Sequence, residues 1–149
     1  MRGSQMSAFA YPATFTTGSD GRVLVEFADL PRVATDGKDQ REAMEEAIDA
    51  LGSDLSIRLS RKEDIPSPSP VKRGQRLVPV PLWLAPTLAL SLAMRSQAVS
   101  NCELARRLGV HERVVRRMLD PRHATRAEKI QAALAALGKQ MTVEMRDAA

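Results

Sequence analysis

The chain has 149 residues and a formal net charge of +4, and this length favours one or two small domains over a large enzyme with a deep cleft. No apolar run reaches the ~18 uninterrupted residues that a membrane span needs, because Pro81 and Pro86 interrupt the most apolar stretch. The single cysteine, Cys102, excludes an internal disulfide and is typical of the reducing cytoplasm. Residues 1–5 precede no apolar signal core and could be vector-derived, with Met6 as the native start.

Charge is divided unevenly along the chain. Residues 1–70 hold 8 Lys/Arg and 12 Asp/Glu, whereas residues 71–149 hold 14 Lys/Arg and 6 Asp/Glu. An acidic half joined to a basic half predicts two activities with two different partners. The basic half carries the charge expected of a protein that binds phosphate groups.

The first elements in chain order are a β-hairpin and a short third strand. Alternating apolar residues predict the two hairpin strands: Phe9, Tyr11, Ala13 and Phe15 in the first, and Val23, Val25 and Phe27 in the second. A turn cluster at residues 17–21 separates them, and Pro31 ends the second strand because it cannot donate a hydrogen bond. Residues 33–35 are the candidate third strand.

A helix and a returning strand complete the predicted N-terminal layers. Asp39 is an N-cap candidate with Glu42 three residues later. The apolar face of this helix comprises Met44, Ala47, Ile48, Leu51 and Leu55. The proline-rich residues 65–70 favour extended connecting chain, after which residues 77–80 return as an edge strand of the sheet. The pattern predicts an α+β domain over residues 7–80 and a helical domain over residues 81–149.

Capping signals divide the C-terminal domain into four helices and a terminal strand. The helices are predicted near residues 84–95, 100–109, 111–119 and 125–137, with capping boxes at Ser100–Glu103 and Thr125–Glu128 and closing glycines at positions 109 and 138. Met141, Val143 and Met145 then alternate with polar residues, which favours a strand.

Residues 101–119 have the spacing of a DNA-binding helix-turn-helix. Leu104, Ala105 and Leu108 are expected on the inner face of the first helix, and Gly109 permits the left-handed backbone of a tight turn. Val110, Val115 and Met118 or Leu119 are expected to bury the inner face of the second helix. The outward residues of this recognition helix are His111, Glu112, Arg113, Arg116 and Arg117.

Arginine suits such a position because its fork can bond guanine O6 and N7 together, or a phosphate. Asn101 is a candidate for phosphate contact through its side chain or its backbone N–H. Glu112 has two candidate roles, which are accepting from a cytosine amino group and holding Arg116 through an i,i+4 pair. Arg106 is a candidate for phosphate contact or for solubility alone, and an arginine-rich face can also be an ordinary solvated surface.

The chain resembles the HicB family of antitoxins. The motifs that carry the resemblance are YPA to Phe15 (residues 11–15), FADLP (27–31), TDG (35–37), Glu42–Ala43, IPSPS (65–69), ELARRLGVH (103–111) and AALAALGK (132–139). The resemblance implies a partial ribonuclease-H-like β-β-β-α-β domain at the N-terminus. It also implies a HicA-type toxin partner, which is a small mRNA-cleaving protein, and repression of the operon that encodes the pair.

No residue pattern supports catalysis, a metal or a cofactor. The first strand, residues 9–16, holds no Asp or Glu for a two-metal nuclease site, and His111 and His123 have no ligand partner at metal-binding spacing. We therefore expect a cytoplasmic, non-enzymatic protein that forms a homodimer or tetramer, paired through the terminal strand and residues 84–94. The alternatives are a stand-alone repressor with a ligand-sensing N-terminal domain and an interaction protein that binds nucleic acid non-specifically.

Overall fold

A computed structural model of the chain describes residues 9–148. The chain divides into two compact units, an N-terminal unit (Met1–Ala85) and a C-terminal unit (Pro86–Ala149). The domain boundary expected from the sequence, between residues 80 and 81, lies five residues before this division. Residues 1–5, interpreted above as vector-derived, lie outside the described residues.

From residue 9 onward, the N-terminal unit is a four-stranded antiparallel sheet with one long helix. Its elements follow the order β1 (Ala10–Thr17), β2 (Val23–Phe27), β3 (Ala34–Gly37), α1 (Gln40–Ser60) and β4 (Gln75–Pro79). The strand order in the sheet is β3-β2-β1-β4. The expected β-β-β-α-β sequence and the α+β class are therefore confirmed, and β4 is an edge strand, as predicted.

One face of the sheet forms the core of this unit. The register places Ala13 opposite Phe27 and Tyr11 opposite Val78, so the buried residues of neighbouring strands meet on the same face. Helix α1 packs on this face against β2, β3 and β4. Its buried residues are Ala43, Ala47, Leu51, Gly52, Leu55 and Leu59. The buried face of α1 differs from the predicted one, since Met44 and Ile48 were expected on it but are only half-buried.

The start of α1 follows the capping signal in the sequence. The Asp39 carboxylate accepts from the Glu42 backbone N–H at 2.8 Å, and Glu42 reaches back to the Lys38 N–H at 3.2 Å. The first bond satisfies one of the N–H groups that a helix start leaves without an intrahelical partner, and the second holds the residue that precedes the N-cap.

The proline-rich segment is tied to the sheet by hydrogen bonds. The Tyr11 hydroxyl donates to the Pro66 carbonyl oxygen at 2.6 Å. The Ser69 N–H donates to the Asp29 carboxylate at 2.9 Å, and the Ser69 hydroxyl bonds the same carboxylate. The extended chain between α1 and β4 is thereby held at both ends of the proline run.

Up to residue 148, the C-terminal unit contains four helices. They are α2 (Ala85–Gln97), α3 (Asn101–Leu108), α4 (Glu112–Met118) and α5 (Ala127–Ala136). The four predicted helices are confirmed, with bounds that differ by a few residues. The buried core of this unit comprises Leu90, Met94, Leu104, Ala105, Val115, Met118, Ile130, Ala133, Leu134 and Leu137.

Two predictions for the C-terminal unit are wrong. The capping box at Thr125 is not formed, because Arg126 is the N-cap of α5 without a side-chain bond and the Thr125 hydroxyl lies 3.1 Å from His123 Nδ1 instead. The terminal strand is also absent, since residues 139–148 lie in no helix or strand. A strand requires a hydrogen-bonded neighbour, and no described strand lies beside this segment.

Candidate nucleic-acid interface

The turn between α3 and α4 is closed by a glycine in the left-handed conformation. Gly109 has φ 65° and ψ 33°, a region that residues with a Cβ adopt only at a cost. The Gly109 N–H donates to the Arg106 carbonyl at 3.2 Å, and the Val110 N–H donates to the Ala105 carbonyl at 3.0 Å. This pair of bonds is a Schellman motif, which satisfies the last carbonyls of α3 and redirects the chain.

Both helices of this segment begin at a side-chain cap. Ser100 accepts from the Glu103 N–H at 3.1 Å and so starts α3, as the sequence predicted. His111 starts α4, because its Nδ1 accepts from the Arg113 N–H at 3.1 Å. Accepting at Nδ1 requires an imidazole whose proton is on Nε2. The exposed His111 ring therefore has a local structural role in addition to its outward position.

The inner faces of α3 and α4 supply part of the C-terminal core. Leu104 and Ala105 of α3 and Val115 and Met118 of α4 are buried, as predicted. Val110 is 38% exposed, so its predicted burial is wrong. It directly follows the left-handed Gly109 in the turn, before α4 begins, and does not share the helical repeat of the residues after it.

The outer face of α4 carries three exposed arginines, Arg113, Arg116 and Arg117, in a helix of seven residues. Glu112 forms an ion pair with Arg116 at 2.6 Å. The Arg116 hydrogen bond is the largest cause that lowers the pKa of Glu112, and a hydrogen bond from Asn101 adds to it. Of the two roles considered for Glu112, the structure contains the i,i+4 pair with Arg116.

Asn101, at the start of α3, lies near enough to Glu112, in the first turn of α4, to help lower the pKa of that carboxyl. The sequence did not predict this proximity, because the two residues belong to different helices and no local repeat relates them. It brings three candidate residues, Asn101, Glu112 and Arg116, close together.

Glu103 holds two arginines on the outer face of α3. Arg106 donates to both carboxylate oxygens of Glu103, at 2.9 and 2.7 Å, and Arg107 donates at 2.9 Å. These bonds, Arg106 first and Arg107 second, lower the pKa of Glu103 to about 2. Arg106 is therefore engaged within its own helix, which is a feature that its position in the sequence did not reveal.

Arg113 and Arg117 differ from their neighbours. Among residues 9–148, neither has a carboxylate oxygen within the 4.0 Å of an ion pair, whereas Arg106, Arg107 and Arg116 each have one. A guanidinium without an internal carboxylate keeps all its donors available for a phosphate or a base edge. The segment thus presents two arginines without an internal carboxylate partner beside three that form ion pairs within the protein.

Other kinds of site find no support in the described part of the chain. Over residues 9–148 there is no group of three or more His, Cys, Asp or Glu side chains placed to hold a metal ion. In the same range no helix has the length and apolar character to cross a bilayer.

Comparisons with known proteins identify the family. A family model described as the HicB-like antitoxin of bacterial toxin-antitoxin systems matches residues 10–86. The chain is 36% identical to "Antitoxin HicB" of Escherichia coli over 135 residues, and this alignment covers 91% of this chain and 98% of that protein. It is 35% identical to "Antitoxin HicB 1" of Photorhabdus laumondii, with coverages of 91% and 86%.

A third relative is "Antitoxin HicB" of Pseudomonas fluorescens, which is 31% identical over 146 residues, covering 97% of this chain and 98% of that protein. These matches include the α3–α4 segment as well as the sheet, since they extend over nearly the whole chain. They support an antitoxin role and indicate a regulatory, non-enzymatic protein with a toxin partner. The chain belongs to the HicB family of antitoxins.

Proposed function

We propose that this chain neutralises a small mRNA-cleaving toxin of the HicA type and represses its own operon by binding operator DNA. The family supports the antitoxin role. The observation that carries the DNA-binding part is the α3–turn–α4 segment, which presents Arg113 and Arg117 outward without internal carboxylate partners. The exposed free thiol of Cys102 suits a reducing cytoplasm, where we propose that the protein acts.

The DNA contact follows from the helix-turn-helix interpretation of residues 101–119. In such motifs the second helix enters the major groove and the first helix crosses the phosphate backbone. We assign Arg113 and Arg117 to base edges or phosphates, and Asn101 and His111 to the margin of the contact. Glu112 positions Arg116 through their ion pair. Arg106 contacts a phosphate only if it gives up its ion pair with Glu103.

A single short motif binds an operator weakly, and we therefore propose that two copies of the chain bind it together. In a two-fold symmetric dimer, two α4 helices read half-sites that are about one helical turn, or a multiple of it, apart. A tetramer would pair two such dimers.

The toxin contact is assigned to the N-terminal unit. Residues 1–85 hold 11 Lys/Arg and 12 Asp/Glu, so this unit is nearly neutral as a whole. Its negative charge is concentrated on α1, where Glu45, Glu46 and Asp49 are exposed. A protein that cleaves RNA needs a positive surface for the phosphates, and charge complementarity would speed and orient its encounter with α1.

Mobility shifts on duplex DNA from the promoter of the chain's own gene test the DNA-binding part, with a scrambled duplex as competitor. Replacing both Arg113 and Arg117 by Ala is expected to weaken binding at least ~10-fold, since one bidentate arginine contact contributes about 1–3 kcal/mol. Arg73→Ala is the matched control, because Arg73 is an exposed cation of the N-terminal unit. Unchanged affinity of the double variant would refute the assignment.

Growth rescue tests the toxin part separately. Co-expression with the product of the adjacent small gene should give a stable complex of measurable mass and restore growth. The Arg113→Ala, Arg117→Ala double variant should rescue growth as well as the wild type does. Failure of the wild type to rescue would refute toxin neutralisation and leave the DNA-binding result standing.

A further inference from the structure

Trp83 is the only tryptophan of the chain, and it lies at a turn of the N-terminal unit. It is 57% exposed, and its neighbour Leu82 is 78% exposed. Large apolar side chains that share one place on a surface are unfavourable in water and typical of a contact. Tryptophan in particular is enriched among the few residues that contribute most of the binding energy of protein interfaces. This pair is therefore a candidate anchor for a protein partner.

The turn that carries the pair is fixed on both sides. Val80 and Leu84 are buried, and the Pro81 carbonyl oxygen accepts from the Leu84 N–H at 3.0 Å. These contacts hold the backbone and leave the two side chains between them at the surface. A side chain on a fixed backbone costs less conformational entropy to bind than one on a mobile loop.

The Trp83 ring rests on α1 at Gly52. A Cβ placed on Gly52 would lie 3.1 Å from Trp83 Cζ2 and 2.6 Å from Pro81 Cγ. The close approach of the ring edge and the proline to the helix therefore requires a residue without a side chain at this position. The ring is held beside α1, with more than half of the residue's surface in solvent.

Exposed carboxylates line α1 beside this ring. Asp49 and Glu45 precede Gly52 by three and seven residues, which places them on one stripe of the helix with it. They lie about 4.5 and about 10.5 Å from Gly52 along the helix axis, and Glu46 is exposed next to them. Among residues 9–148, neither Glu46 nor Asp49 has a cationic group within the 4.0 Å of an ion pair.

We propose that Leu82, Trp83 and the carboxylates of Glu45, Glu46 and Asp49, named the Trp83 surface below, are the docking site of the toxin. This inference rests on the proposed function and specifies where the N-terminal unit makes that contact. An indole face attracts ammonium and guanidinium groups, and carboxylates bind the same groups. The surface is therefore complementary to a protein rich in lysine and arginine, which is the character that binding RNA phosphates requires.

The charge of the Trp83 surface disfavours two other occupants. A nucleic acid would bring phosphates against three carboxylates, and like charges brought together are unfavourable. A second copy of the same surface, related by a two-fold axis, would oppose the carboxylates of the two copies. A basic protein is the occupant to which both the apolar and the charged parts of the surface contribute binding energy.

Fluorescence of the full-length chain tests the contact, because all its tryptophan emission comes from Trp83. The emission of the free chain should be that of an indole in contact with water. It should shift to shorter wavelength when the purified product of the adjacent small gene is added, and the Trp83→Phe chain supplies the emission of the added protein for subtraction. A short-wavelength emission in the free chain, or an unchanged emission in a complex that forms, would overturn the proposal.

Calorimetric titration with the same toxin measures the energetic contribution of Trp83. Trp83→Ala should raise the dissociation constant at least ~10-fold, as truncation of an anchor residue does, and Trp83→Phe, which keeps an aromatic face, should raise it less. Leu24→Ala is the matched control, because Leu24 is 43% exposed and lies between two strand residues that are buried toward α1, so it faces away from α1. This control should leave the affinity unchanged.

Two further variants separate binding from folding. Leu82→Lys changes a side chain that is mostly in solvent, so the fold should be unaffected while the added cation repels a basic partner. Asp49→Asn should slow association. Both effects should be largest at low salt, and thermal unfolding and operator binding of both variants should match the wild type. Toxin affinities equal to that of Leu24→Ala in both variants and in Trp83→Ala would overturn the docking site.

These outcomes are distinct from failure of the proposed function. A wild-type chain that neither binds the toxin nor rescues growth would refute toxin neutralisation, and the docking site with it. A wild-type chain that binds and rescues, beside a Trp83→Ala chain of unchanged affinity, would refute the docking site alone.

Discussion

The two units of the chain are stabilised in different ways. In the N-terminal unit, α1 has 21 residues and lies on a sheet in which β1 pairs with β4, the strand that follows α1 in the chain. In the C-terminal unit, α3 and α4 have only eight and seven residues, well below the length at which a helix is stable alone. The short helices depend on their caps, their turn and a few buried side chains, so single substitutions there are expected to have large effects.

The largest effect is expected from Leu104→Ala. The Leu104 side chain is fully buried in the C-terminal core, and removing it leaves a cavity that costs about 2–5 kcal/mol. Urea unfolding followed by circular dichroism would measure the loss. Leu82→Ala is the control, because Leu82 is 78% exposed and its loss should change the free energy of unfolding by less than ~0.5 kcal/mol. Similar losses in both variants would contradict the burial.

The second effect tests the turn. Gly109→Ala places a Cβ at φ 65°, which costs about 1–2 kcal/mol in the left-handed region, and it should also weaken operator binding by misdirecting α4. Ala98→Gly is the opposite change at a similar backbone angle, because Ala98 already has φ 52°. The free energy of unfolding should rise by about 0.5–1 kcal/mol in this variant. Thermal unfolding of both variants would check that the two changes have opposite signs.

The third effect concerns the single tyrosine in the N-terminal unit. Burial, and then the Asp29 charge, raises the pKa of Tyr11 to about 12. Since the folded state favours the neutral phenol, its contribution to stability is complete below pH 10 and is lost as the pH rises from 10 to about 12. Ultraviolet titration of the phenol would measure this.

Tyr11→Phe should also cost about 1 kcal/mol, because the Pro66 carbonyl loses its donor. A fully stable Phe variant would contradict the hydrogen bond between Tyr11 and Pro66, and an ordinary titration near pH 10 would contradict the effect of burial and of the Asp29 charge on the phenol.

The smallest effect is expected from Glu103, which is partly exposed. Its pKa of about 2, against an ordinary value of 4.5, means that its pairs with Arg106 and Arg107 contribute stability above pH 4.5. That contribution is lost as the pH falls from 4.5 to about 2. Nuclear magnetic resonance titration of the Glu103 carboxyl would measure the pKa directly. Glu103→Gln should abolish this pH dependence and change stability little at pH 7, since exposed ion pairs are weak.

Local signals in the sequence were sufficient to place most helix ends. Asp39 and Ser100 cap α1 and α3 as predicted, and Gly109 makes the expected turn. Each of these features depends on groups within three or four residues, so the sequence contains all the information that is needed. The same reasoning was wrong at Thr125, where Arg126 is the N-cap of α5.

Contacts between distant residues were not predictable in the same way. The Tyr11–Pro66 bond joins residues 55 apart, and the Ser69–Asp29 bond joins residues 40 apart. In the candidate interface, the outward arginines could be identified from the sequence, but not which of them form ion pairs with carboxylates. That depends on the side-chain rotamers of Glu103 and Glu112 and of the arginines around them. Apolar and polar residues do alternate over residues 141–146, but a strand needs a hydrogen-bonded neighbour, and residues 9–148 supply none for this segment.

The arginines that form ion pairs within the protein should reduce the dependence of DNA binding on ionic strength. An arginine that exchanges an internal carboxylate for a phosphate releases a condensed cation from the duplex, but the carboxylate that it leaves takes up a cation from solution, so the net release of ions is small. Of the five arginines on α3 and α4, Arg106, Arg107 and Arg116 have such internal counterions. Each fully available phosphate contact contributes about 0.9 to the slope of log affinity against log salt concentration. The slope per bound motif should therefore be closer to about 2, from Arg113 and Arg117, than to the value that five arginines would give.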